Sequence, residues 1–211
     1  MSRQGIFITL EGPDGCGKST QAKMLAQKLV SLGYRALHTR EPGGTYFAEG
    51  VRRILLDTKH QITALAELFL YEASRAQHVA EAVEPALKLK KIVICERYID
   101  ATLAYQGYGR KLDKKMIQSL NQIATGGLKP QLTIVLDIDP KAGLTRALKN
   151  SSRGGDRLER AGVAFHQRVR AGYKAIAKLE PKRIRLISAL GEQQQVHDRV
   201  WRAVRSALEI K

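Results

Sequence analysis

The most constraining feature of this chain is a short glycine-rich run at residues 12–19, Gly-Pro-Asp-Gly-Cys-Gly-Lys-Ser. It matches the phosphate-loop pattern G-x-x-x-x-G-K-[ST], with an apolar run before it and helical spacing of apolar residues after it. That setting turns backbone N–H groups and a helix N-terminus towards a phosphate. A dinucleotide fingerprint fails, because Thr20 stands where a third glycine is needed. The sequence therefore predicts a nucleoside-triphosphate site.

The rest of the chain alternates strand and helix patterns, which is typical of an α/β protein with a mostly parallel sheet. Five segments are expected strands: the apolar runs at 6–10, 92–95, 132–136 and 184–187, and a further candidate at 34–39. Helices are expected at 17–32, at 64–88 despite Pro85, and near the C-terminus. We expect one domain over residues 1–211, a five-stranded parallel sheet covered by helices on both faces, with a short mobile lid at about 150–160.

The composition limits the class of protein and its expected cellular location. We expect no membrane span and no secretory leader, because no long apolar stretch occurs. Two cysteines exclude a disulfide framework and favour a reducing cytoplasm. The net charge is +16, and residues 141–211 hold 17 Lys/Arg against 6 Asp/Glu. Such a charge is compatible with nucleic acid, an anionic surface, a polyphosphate substrate or simply a solvated face.

The phosphate loop alone does not name a reaction, since several classes of protein use it. The N-K-x-D motif that reads guanine is absent, whereas arginines recur at predicted strand ends and loops. Several cations around one phosphoryl group suit transfer between two nucleotides. Six segments, the first of which contains the phosphate loop, then become recognisable: residues 11–21, 40–45 (R-E-P-G-G-T), 67–75, 96–98, 104–109 (A-Y-Q-G-Y-G) and 156–159. From residue 5 to about 207, the chain resembles the bacterial thymidylate kinases, which implies a P-loop kinase fold and phosphoryl transfer from ATP to dTMP, giving dTDP and ADP.

The resemblance implies an acceptor site with one role for each matched residue. Tyr71 would stack on thymine, Arg75 would hydrogen-bond the base edge, and Arg97 would hold the acceptor phosphate. Tyr105 would lie against the sugar and disfavour a 2′-hydroxyl. Most relatives have Phe at position 71. The dTMP-binding set is Asp14, Glu41, Tyr71, Arg75, Arg97, Tyr105 and Gln106.

The donor site follows from the loop and from the resemblance together. ATP binding is assigned to Gly12, Pro13, Asp14, Gly15, Cys16, Gly17, Lys18, Ser19, Thr20 and Arg146. Lys18 would reach the β/γ-phosphates, and Arg146 would pack on adenine. Some relatives have a basic residue directly after the acidic residue of the phosphate loop, which is Asp14 in this chain. Here that residue is Gly15, so the lid would supply the cation. The catalytic set is Lys18, Arg97, Arg153 and Arg157.

Mg²⁺ is the expected cofactor, and the side chains of Ser19 and Glu96 are expected to bind it. Relatives commonly read Asp-Arg where this chain has Glu96-Arg97. The other interpretation of Glu96 is a salt bridge to a neighbouring basic residue. Family members are usually homodimers built through helix packing, so we expect a homodimer, with ATP and dTMP as the other partners and no membrane.

Two alternatives stay open at the level of sequence. The first is another nucleoside-monophosphate kinase. The second is a P-loop nucleic-acid-binding protein, suggested by the basic C-terminal part. The dispersed placement of Arg199, Arg202 and Arg205, without aromatic residues between them, argues against the second.

Overall fold

A computed structural model of the chain describes residues 5–150 and 155–208, without the side chain of residue 150. Its five strands form one parallel sheet in the order β2-β3-β1-β4-β5. The strands are β1 (Ile6–Glu11), β2 (Ala36–Arg40), β3 (Ile92–Glu96), β4 (Leu132–Asp137) and β5 (Ile184–Ser188). The five predicted strands are confirmed, with ends that differ by one or two residues.

Helices connect the strands. They are α1 (Lys18–Ser31), α2 (Tyr46–Leu56), α3 (Ala64–His78), α4 (Glu84–Lys88), α5 (Ile99–Thr102), α6 (Lys114–Thr125), α7 (Pro140–Asn150), α8 (Val163–Leu179) and α9 (Gln193–Leu208). Two π-helical segments, Val79–Val83 and Leu103–Gly109, and a 3₁₀ turn, Glu159–Ala161, complete the described helical structure. Among the described residues, none of these helices combines the length and the apolar character that spanning a bilayer requires.

The sheet is covered on both faces, as the continuous apolar strands predict. On one face, Leu25 and Leu29 of α1 and Val200 of α9 are completely buried in a cluster with residues of β1, β3 and β4. On the other face, Val169 of α8 and Val83 ahead of α4 belong to two further buried clusters. The core therefore holds the carboxyl ends of the central strands rigidly in place.

The helix predicted over 64–88 differs in one respect. It is helical throughout, but α3 and α4 are joined by the π-helical segment Val79–Val83, which ends two residues before Pro85. Proline has no N–H and its ring crowds the preceding turn of an α-helix, so a wider turn lets the helix continue. Apolar spacing alone could not show this change.

The strand register determines which residues meet at the carboxyl edge. Leu10 of β1 pairs with Glu96 of β3, so Glu11 and Gly12 lie beside Arg97. In open parallel sheets, ligands bind at this edge. The phosphate loop and the Glu96-Arg97 pair are thus brought together by one strand pairing.

Candidate active site

The phosphate loop runs from the end of β1 into α1. Gly12, Gly15 and Gly17 all have positive φ. Lys18 is buried, and its Nζ donates to the carbonyl oxygens of Gly12 at 3.0 Å and Pro13 at 2.9 Å. The ammonium therefore lies inside the curve of the loop, where a phosphate chain would replace these carbonyls as its partner.

Gly15 is in close contact with α7. Its φ is +70°, and a Cβ at this position would lie 1.9 Å from the carbonyl oxygen of Gly143. The contact is reciprocal, since a Cβ on Gly143 would lie 2.4 Å from the carbonyl oxygen of Asp14. A basic side chain at position 15 therefore cannot be accommodated without a displacement of α7.

An open groove lies on the outer side of the loop, and we call it the outer groove. Its volume is about 430 Å³. It is lined by Gly15, Cys16, Gly17, Thr20, Gln21, Arg146, Lys149, Ala189, Gly191, Glu192, Gln193 and Val196. The structure thus brings the predicted Arg146 to the phosphate loop from α7. Of the other predicted donor residues, Ser19 follows Lys18 on α1.

Arg97, Asp14 and Tyr105 form a compact group on the inner side of the loop. The Arg97 Nη2 donates to Asp14 Oδ1, and the Tyr105 hydroxyl donates to Asp14 Oδ2 at 2.8 Å. The guanidinium lies 4.7 Å from the centre of the Tyr105 ring. Burial opposes ionisation of Asp14, but the charges of Arg97 and Lys18 outweigh it and hold the pKa of Asp14 below its usual range. The group therefore contains an ion pair beside a pocket that Arg97 and Tyr105 line.

That pocket, which we call the inner pocket, collects most of the predicted acceptor residues. It has a volume of about 20 Å³. It is lined by Glu41, Tyr71, Arg75, Arg97, Ala101, Thr102, Tyr105, Gln106 and Leu158. Six of the seven predicted acceptor residues line it, and the seventh, Asp14, contacts two of them. A space this small holds a water molecule or two, so a nucleotide would enter only as the side chains around it move apart.

Arg75 is held tightly at the back of the inner pocket. Its side chain is 1% exposed. Its Nε donates to Glu41 at 2.8 Å, and its Nη1 donates to Glu72 and Asn121 at 2.9 and 2.6 Å. Its Nη2 donates to the Tyr98 carbonyl at 3.1 Å. Sequence reasoning assigned this arginine to the base edge, and the structure adds that its orientation is set by buried partners.

A cluster of metal-ligating residue types lies behind Arg75. Glu41, His78 and Cys95 are all buried and close together. However, the Glu41 oxygens accept from Arg75 and His78, and His78 Nε2 contacts Thr39 at 2.7 Å. Burial also raises the pKa of the Cys95 thiol, which disfavours the thiolate that binds metals. We assign this cluster to the support of Glu41.

Ser19 and Glu96 meet at the predicted metal position. The Ser19 hydroxyl donates to Glu96 Oε2, while His38 Nε2 lies 2.9 Å from Oε1. Burial opposes ionisation of Glu96, but hydrogen bonds from His38 and Ser19 outweigh it and keep the pKa of Glu96 below its usual range. An ionised carboxylate beside a hydroxyl supplies oxygen ligands of the kind that Mg²⁺ prefers. The residues present therefore fit that cation.

Arg157, which was predicted to be a cation of the lid, is instead paired with another residue. Its Nη1 lies 2.6 Å from Oε2 of the buried Glu67, and its Nε donates to the Leu55 carbonyl at 2.9 Å. Gln106 also donates to Glu67, at 2.8 Å. Arg157 is thus tied to α3 beside the inner pocket. Arg153, the other predicted lid arginine, lies outside the described residues.

Sequence reasoning missed several residues of the site. Lys149 lines the outer groove three positions after Arg146, so helical spacing would have indicated it. Leu158 lines the inner pocket next to a predicted lid residue. His38 contacts Glu96 across two strands, and no local pattern in the sequence reports that pairing.

Known proteins resemble this chain over nearly its full length. A family model described as thymidylate kinase matches residues 10–200. A thymidylate kinase of Synechococcus sp. (strain JA-3-3Ab) is 49% identical, over 96% of this chain and 97% of the relative. One of Syntrophotalea carbinolica is 48% identical, over 97% of each. The crystal structure of a thymidylate kinase from Ehrlichia chaffeensis superposes with a TM-score of 0.79 at 36% identity, covering 95% of this chain and 98% of that one.

Proposed function

The chain belongs to the thymidylate kinase family, and we propose that it transfers the γ-phosphate of ATP to dTMP, giving dTDP and ADP. The observation that carries the proposal is the convergence of Tyr71, Arg75, Arg97 and Tyr105 on one pocket beside the phosphate loop. An aromatic face, a fixed guanidinium and a phosphate-binding arginine are what a pyrimidine monophosphate requires. The neighbouring outer groove has space for a second nucleotide.

In this proposal each acceptor residue has a separate task. Tyr71 stacks on the thymine ring and Arg75 recognises its edge. Arg97 binds the acceptor phosphate, for which the fork of the guanidinium is suited. Tyr105 lies against the sugar, and Asp14, which accepts from both Arg97 and Tyr105, binds the 3′-hydroxyl. Glu41 keeps Arg75 oriented, and Gln106 joins the pocket to Glu67.

The donor half uses the phosphate loop. Its backbone and the start of α1 bind the β- and γ-phosphates, while Arg146 packs on the adenine in the outer groove. Lys18 stabilises the negative charge of the transferred phosphoryl group. Phosphoryl transfer needs little from the protein besides positioning and charge stabilisation. Ser19 and Glu96 would hold Mg²⁺, which would supply positive charge to neutralise the phosphates when bound. Gly15 supplies no cation at its position, so Arg153 and Arg157 of the lid at 150–160 complete the clamp. For Arg157 this requires that it leave its ion pair with Glu67 when the nucleotides bind.

We also propose a homodimer, on the evidence of an apolar surface. Exposed apolar side chains lie on α2 and α3, which pack against each other: Phe47 and Ile54, seven residues apart, and Leu65 and Phe69, four apart. A surface of this kind marks an interaction site. Phe69→Lys should then reduce the mass measured by sedimentation from dimer to monomer, whereas an exposed substitution on α9 should not.

The proposed location is the cytoplasm, since Cys16 and Cys95 are both free and buried. The nucleic-acid alternative gains no support from the basic C-terminal part. Arg199, a half-buried arginine of this part, donates to the carbonyls of Ser188 and Leu190 at 2.9 and 2.6 Å. Its guanidinium therefore stabilises the loop that follows β5.

A coupled assay with ATP, Mg²⁺ and each of dTMP, dUMP, UMP and AMP tests the function. We expect dTMP to be preferred and dUMP to be weaker by roughly 1–3 kcal/mol, the worth of one methyl contact in a pocket. UMP should be poorer still because of its 2′-hydroxyl. Equal turnover of UMP and dTMP would refute thymidylate as the substrate and leave a nucleoside-monophosphate kinase of another specificity.

A further inference from the structure

Glu11 is a buried acid to which neither the motif nor the proposed reaction gives a task. It is the last residue of β1, immediately before the phosphate loop, and it is completely buried. Its Oε1 accepts from the Tyr98 N–H at 2.7 Å. Its Oε2 lies 2.8 Å from the hydroxyl of Tyr173, which comes from α8. Both carboxyl oxygens are therefore engaged by groups next to Arg97.

The main chain at Arg97 needs such support. Arg97 has φ +65°, a left-handed conformation that a residue with a side chain rarely adopts. Residues of this kind persist where the surroundings hold them, and they concentrate at functional sites. The Arg97 N–H donates to the Leu10 carbonyl at 2.9 Å, and the next N–H, of Tyr98, donates to Glu11. Two successive residues of β1 thus hold the chain on either side of the strained position.

The guanidinium of Arg97 is held from the same direction. Its Nη1 donates to the Gly12 carbonyl at 3.3 Å and to the Tyr173 hydroxyl at 3.5 Å. Tyr173 thereby stands between the Arg97 guanidinium and Glu11. The two halves of Arg97, main chain and side chain, are connected to one carboxyl group.

We propose that Glu11 is a positioning residue for Arg97, holding its main chain through the Tyr98 N–H and its guanidinium through Tyr173. This inference rests on the proposed function, in which Arg97 binds the acceptor phosphate. Burial raises the pKa of Glu11 to about 8, and Asp100 acts in the same direction against Arg97 and Tyr173. A largely uncharged acid leaves the charge of Arg97 available to the phosphate.

The test compares the affinities of dTMP and thymidine, measured by titration calorimetry on the full chain. The two ligands differ by the phosphate that Arg97 would bind. Glu11→Leu removes both acceptors, so the advantage of dTMP over thymidine should fall about tenfold while thymidine affinity stays within twofold. The kcat with dTMP should fall about 10- to 100-fold, the scale of a misplacement near 1 Å. Glu11→Gln, which keeps an uncharged carbonyl acceptor, should restore both to within about threefold.

Thr9→Val is the matched control. Thr9 lies two residues earlier on β1, is also completely buried, and hydrogen-bonds Thr133 at 2.7 Å. Its loss should leave the dTMP-to-thymidine ratio unchanged. If Glu11→Leu weakens both ligands equally, or keeps the full advantage of dTMP, the positioning role is refuted. If Glu11→Leu does not fold, Tyr173→Phe decides: a two- to fivefold smaller advantage supports the role, and an unchanged one refutes it. A wild-type chain that neither binds dTMP better than thymidine nor phosphorylates it would refute the proposed function itself.

Discussion

Glu11 should also make the stability of the protein depend on pH in a predictable way. Burial raises the pKa of its carboxyl from 4.5 to about 8 in the folded state. Between these values the folded protein binds one proton more than the unfolded chain, so the free energy of unfolding decreases as pH rises. The slope is about 1.4 kcal/mol per pH unit, and the decrease from pH 5.5 to 7.5 is about 2.5 kcal/mol.

Glu11→Gln removes this titration and leaves the other groups in place. Urea unfolding of the two proteins at pH 5.5, 6.5 and 7.5, at one protein concentration, gives the difference between them. The charged or titratable groups that face Glu11, namely Asp100, Arg97 and Tyr173, are present in both proteins and cancel to first order. Wild-type stability should therefore approach or fall below that of the variant as pH rises.

Glu67→Gln is the control for this experiment. Glu67 is equally buried, but hydrogen bonds from Arg110 and Gln106 outweigh the effect of burial and keep the pKa of Glu67 below its usual range. It carries no extra proton between pH 5.5 and 7.5, so its variant should be less stable by the same amount at every pH. Parallel curves for the wild type and Glu11→Gln would refute the raised pKa.

Three further predictions concern activity. Lys18→Ala should fold and lose at least about 10²-fold in rate, because a cation on the transferring phosphoryl group is gone; a coupled assay with near-normal turnover would remove the loop from the mechanism. Glu96→Gln should lose most activity and need more Mg²⁺, whereas Glu96→Asp should stay within about tenfold, and a Mg²⁺ titration in which Gln behaves as wild type would leave only the pairing with His38. Replacement of Arg153 and Arg157 together by Ala should lower kcat far more than dTMP affinity, since lid closure acts on the chemical step. A normal kcat in that double variant would place the cation elsewhere.

Local sequence patterns were sufficient to predict the sheet and the phosphate loop. Most of the strands are apolar runs bounded by turn residues, and the phosphate loop has a spacing of its own, so the sheet and the position of Lys18 were predictable. The same reasoning could not predict the π-helical segment before Pro85, because a local widening of a helix does not alter the spacing of its apolar residues.

The fine structure of the site was not predictable for a different reason. His38 contacts Glu96, and Glu11 contacts the residues around Arg97, only because β2, β3 and β1 lie side by side in a particular register. Register is a property of the assembled sheet. Tyr71 and Arg75 were indicated by resemblance, but the buried acids that orient Arg75 were not assigned that task by any sequence pattern.

The contact between Gly15 and Gly143 has a consequence for how this enzyme can change over generations. A basic residue at position 15 would collide with α7, and any side chain at position 143 would collide with the loop. Since Arg146 is on the same helix, a retreat of α7 that made room would also displace the side chain facing the outer groove. In the proposed mechanism, moving the cation from the lid to the loop would therefore require a change in α7 as well as a substitution at position 15. A single substitution at position 15 would therefore disturb both the phosphate loop and the helix that carries Arg146.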